Sequence, residues 1–134
     1  MSQTIAHSST PVLLRRALLG NAIFSTITGG LFVVGASPLS ALIGLPSPAI
    51  LIVMGLGVIG YAAFLFRAIR LDSIPRSLAV TTLVADSVWV VASVALLVTD
   101  WVPFTPEGKW LVAIIADLVG LFALLEFIGL RQMR

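Results

Sequence analysis

Ser77 to Val98 reads SLAVTTLVADSVWVVASVALLV, long enough to cross a bilayer as a helix, with one carboxylate, Asp86, near its middle. Every other residue in it is apolar, small or hydroxylated. An acid at that depth costs about 2.5–3.5 kcal/mol on insertion scales, so it needs a hydrogen-bonding partner or its proton. Three further apolar stretches flank it and read as the walls that shield it.

Composition agrees. Hydrophobic residues make up 59% of the 134 and charged residues 10%, and mean hydropathy is +1.12. A soluble domain this apolar could not cover its own surface. The net charge of +2 does not point to nucleic acid, because the bases sit at helix ends without interleaved aromatics. With no cysteine, the chain offers no disulfide, thiol chemistry, iron–sulfur cluster or Cys-ligated zinc. The single histidine, His7, has no acidic or thiol neighbour with which to hold a metal.

The sequence predicts a polar cytoplasmic tail over 1–10 and one membrane domain over 11–134. Its helices are expected at about 11–35, 48–71, 75–98 and 106–131. Thr10-Pro11 reads as an N-cap followed by a first-turn proline, and the pattern recurs at Ser37-Pro38, Ser47-Pro48 and Thr105-Pro106. Arg15-Arg16 before an apolar run imitates a signal peptide. The run is longer than a signal core, however, and carries Asn21, Ser25 and Thr28, which favours a retained helix. Pro38 to Gly44 can make two turns with Gly44 as the stop, a short helix expected to lie at the outer interface. Trp101 and Trp110 stand where interfacial aromatics belong.

Arg15, Arg16, Arg67, Arg70, Arg76, Arg131 and Arg134 fall on one side of a four-span arrangement, and Lys109 alone on the other. The positive-inside rule then places both termini in the cytoplasm. The expected fold is all-α, an up-down-up-down transmembrane four-helix bundle in the bacterial cytoplasmic membrane.

Two polar stripes run at helical spacing: Asn21, Ser25 and Thr28 on the first span, and Thr82, Asp86 and Ser93 on the third. At 1.5 Å per residue from the nearest arginine, Asp86 lies about 15 Å deep, Ser25 about 13 Å, Tyr61 about 9 Å and Asn21 about 8 Å. A buried cluster of Asn21, Ser25, Tyr61 and Asp86 is predicted. Asp117 lies about 21 Å deep and is expected to face inward towards Ser93 and Thr28, whereas Glu126 is expected at the cytoplasmic surface, free to snorkel. Asp86 and Asp117 could relay protons, or could simply hold helices in register. Gly55-Leu56-Gly57-Val58-Ile59-Gly60 matches a dinucleotide fingerprint in letters only, because it lies inside a spanning helix and reads as a packing surface. No Ser/His/Asp set, phosphate loop or metal-ligand spacing is present.

The pattern RRALLGNAIFSTITGG, ALIGLPSP, VADSVWVVAS and a terminal GLR resembles a group of small bacterial four-helix integral membrane proteins of uncharacterised activity. The resemblance implies fold and location, and no ligand or site residue. Small multidrug transporters also have four short helices, but their essential carboxylate is on the first, where this chain has Asn21. The function expected is a non-enzymatic accessory or interaction subunit of a membrane assembly. A small proton-coupled transporter or channel component using Asp86 and Asp117 is the alternative, and a lipid- or pigment-handling role the third. No cofactor is implied. The uncovered helix faces suit a homo-oligomer or a larger membrane complex, and no motif chooses between them.

Overall fold

The computed structural model describes residues 10–133. The rest of the expected tail, with His7, lies outside the described residues, as does Arg134. The described chain forms α1 (Val12–Val34), α2 (Ala36–Ile43), α3 (Pro48–Ile69), α4 (Arg76–Thr99) and α5 (Pro106–Arg131), with no strand among these residues. All except α2 are long and apolar enough to cross a membrane.

The helix starts follow from local chemistry. The Ser47 hydroxyl accepts from Ala49 N–H at 3.2 Å and Thr105 from Gly108 N–H at 2.9 Å, each ahead of a first-turn proline. Gly44 ends α2 at φ 94°, a left-handed conformation that glycine adopts without strain. Thr10 departs from expectation. Pro11 itself occupies the cap position of α1, and the Thr10 hydroxyl accepts from Ile74 N–H at 2.8 Å instead. The reason is that the α3–α4 link runs past it and offers an unpaired backbone donor.

α1 packs between α3 and α5, α5 carries α4 on its far side, and α3 and α4 scarcely approach each other. Backbones touch where side chains are absent. A Cβ on Gly55 of α3 would lie 2.8 Å from the Gly29 carbonyl oxygen of α1, and one on Gly129 of α5 would lie 2.8 Å from Leu14 Cα. Such close contact lets dispersion act where lipid removes the hydrophobic drive between helices. Leu14, Leu18, Leu65 and Ile74 fill the core at the arginine-rich end, and Phe32, Ile43 and Leu51 fill it at the other.

The arginines also tie helices together. Arg15 donates to the carbonyls of Ile69, Leu71 (3.0 Å) and Asp72 (3.1 Å), and Arg76 donates to Leu130 O at 3.5 Å. Both reach carbonyls at or beyond helix C-termini, where intrahelical donors run out, and Leu130 O also accepts from Met133 N–H at 3.0 Å. At the opposite end the Thr105 hydroxyl donates to the Leu42 carbonyl, and Thr105 N–H donates to Ile43 O at 3.0 Å.

Candidate functional site: a buried carboxyl cluster and a side cavity

Asn21 is the pivot of the site. It lies on the α1 stripe that also carries Ser25, a turn from Ala17 and Leu18 in the core, and is 1% exposed. Its amide nitrogen donates to Asp86 Oδ2 at 2.7 Å and to Glu126 Oε2 at 2.9 Å, while its oxygen accepts from the Ser25 hydroxyl at 3.1 Å. Both amide protons are thus in use. Tyr61 reaches from α3 and donates to Asp86 Oδ1 at 2.9 Å, with the Thr82 carbonyl 3.3 Å from the same hydroxyl. The Thr82 hydroxyl turns back to Ala79 O at 2.8 Å. Side chains from all four long helices therefore converge on two carboxyl groups.

No cation joins them. Among the described residues the ion pair is Lys109 with Asp100, 3.2 Å apart and exposed. Hydrogen-bond donors alone support Asp86 and Glu126, and Glu126 Oε1 is buried with no partner at all. No group of three His, Cys, Asp or Glu among the described residues could hold a metal.

Two sequence expectations are corrected here. Glu126, expected at the surface, is 0% exposed. Asp117, expected in the polar cluster with Ser93 and Thr28, is exposed on the outside of α5. Nine residues at 100° each set these acids on faces about 180° apart, so only one can point inward. Ala116 and Gly129 are buried on the same side of α5 as Glu126, and Gly129 lets α5 lie against Leu14 of α1. Depth held the missed signal: Glu126 is five residues from Arg131, about 8 Å deep and level with Asn21. Ser93 is buried away from the carboxyls, towards the far end of α4.

The gap between α3 and α4 is occupied by space. An inner cavity of about 260 Å³ is lined by the polar Asn21, Ser25, Thr28, Tyr61 and Asp86 and by the aromatic Phe24 and Trp89. A second cavity of about 370 Å³ continues towards Trp101 and Phe104, and Met54, Trp89 and Ile115 line both.

No family model matches this chain, and neither a curated protein nor a solved structure matches it.

Proposed function

We propose that the protein is a non-enzymatic interaction subunit of a bacterial cytoplasmic-membrane assembly, with four spans running up, down, up and down and α2 lying at the outer interface. The arginine-rich end, and with it both termini, is cytoplasmic, as the seven-to-one distribution of basic residues favours.

One observation carries the interaction reading. Asp117 stands in the apolar part of α5 and is exposed, on the face opposite the buried Glu126. Lipid tails offer such a carboxyl no donor, whereas a neighbouring helix can. The surrounding face, with Ile114, Leu118 and Leu121 also exposed, is apolar enough to pack against a transmembrane partner. Replacing Asp117 by Leu should release that partner and lower the mass of the particle purified in mild detergent, with helix content unchanged. A particle of monomer mass, the same for both proteins, would overturn the reading.

The transport alternative draws less support from this arrangement, since a relay between Asp86 and Asp117 would have to cross the body of α5. If a proton pathway exists, Asp86 and Glu126 are its members. Proton flux in liposomes that vanishes in Asp86→Asn would establish it.

A further inference from the structure

The inner cavity brings together three features that suit one kind of guest. Asp86 lines it, and among the described residues no counter-cation meets the carboxyl pair of Asp86 and Glu126. Phe24, Tyr61 and Trp89 line it as well, and aromatic faces attract a desolvated cation. Met54, Val58, Ile115 and Val119 make the rest of the lining largely apolar beside Asn21, Ser25 and Thr28, and a second cavity adjoins it, sharing Met54, Trp89 and Ile115. Because α3 and α4 scarcely approach each other, the slot lies between helices that do not close over it.

We infer that this slot binds an amphiphilic organic cation, a single-chain amine or ammonium, with its charged head at Asp86 among Phe24, Tyr61 and Trp89. Its chain passes Met54, Trp89 and Ile115 into the second cavity. The head supplies the positive charge that the carboxyl pair lacks, and each Asp86 oxygen, already accepting one hydrogen bond, has capacity for another. The chain replaces lipid contacts with apolar walls. A neutral acyl chain would fill the same space but leave the acid cluster unpaired, so the head group decides the preference. The inference is independent of any partner at Asp117, which is on the outside of α5.

The test uses the full chain in phosphatidylcholine nanodiscs with Trp101→Phe and Trp110→Phe, which leave Trp89 as the reporter. Dodecylammonium is titrated against dodecanol, which has the same chain and no charge. Dodecylammonium should change Trp89 emission saturably, and Asp86→Asn should weaken its binding at least tenfold. Gly57 provides a second arm that leaves the carboxyls alone. It lines the inner cavity, and a Cβ there meets nothing within 4 Å. Gly57→Leu should therefore plug the slot and abolish the signal. Equal affinity for dodecanol, unchanged binding in Asp86→Asn, or unchanged binding in Gly57→Leu would each overturn the proposal.

Discussion

Asn21 does for two carboxyl groups what a cation would ordinarily do. Its one nitrogen serves oxygens from α4 and α5, and removing it takes a donor from each of two buried carboxyl groups. Each buried acceptor left unsatisfied costs about 1–3 kcal/mol. Asn21→Leu should therefore destabilise the fold by on the order of 3 kcal/mol. Glu126→Gln should be mild, because an amide keeps the acceptor for Asn21 and adds a donor towards Asp86. Thermal unfolding in one detergent compares the two; a Gln variant as damaged as the Leu variant would show that the carboxyl's charge matters beyond its hydrogen bonds. Much of this site is legible in the sequence at residue scale. Depth counted from the arginines sets Asn21, Ser25, Tyr61 and Asp86 near one level, and the side chains do meet there. Glu126 is missed because two acids half a turn apart on α5 compete for the interior, and the polar pattern alone does not say which wins. The packing of Gly129 on Leu14 decides it.

Among the elements, the α3 glycines show how a motif's letters mislead while its spacing informs. Gly55 touches the α1 backbone at Gly29, but Gly57 and Gly60 have open space where a Cβ would be. Gly55→Ala should loosen the α1–α3 contact and lower the midpoint of unfolding. Gly60→Ala should leave it unchanged or raise stability by about 0.5–1 kcal/mol, the usual helical preference for alanine. Equal effects at both positions would contradict the backbone contact. Helix boundaries are readable to within about two residues, with Ser47-Pro48, Thr105-Pro106 and Gly44 marking theirs as expected, whereas Thr10 does not cap α1 and Ser37-Pro38 falls inside α2. What cannot be read is which helix neighbours which. An up-down-up-down order leaves the neighbours open, and α1 and α5 take the interior positions because their small residues, Gly29 and Gly129, permit the closest approach.

For the whole molecule, the arginine distribution makes a prediction that needs no assumption about activity. The chain has no cysteine, so single introduced thiols report sidedness cleanly. A cysteine at Ser73, in the α3–α4 link, should resist a membrane-impermeant maleimide added outside intact cells. One at Val102, between α4 and α5, should react. The reverse pattern would invert the orientation, and labelling of both would undo the span count. Arg15 and Arg76 also have a structural part, since each donates to carbonyls at the end of a neighbouring helix. Charge counting sees the side on which an arginine lies, but not what its guanidinium holds.

The loose approach of α3 to α4 bears on how the protein is made. Helices leave the ribosome in order, so α4 enters the bilayer after α3 and before α5, the helix against which most of its packing is formed. In that interval Tyr61 and Asn21 are the donors already in place for its acid. A nascent chain halted before Pro106 should hold α4 weakly in the membrane, and weakening those two donors should make the stalled span slip out more readily than the finished one.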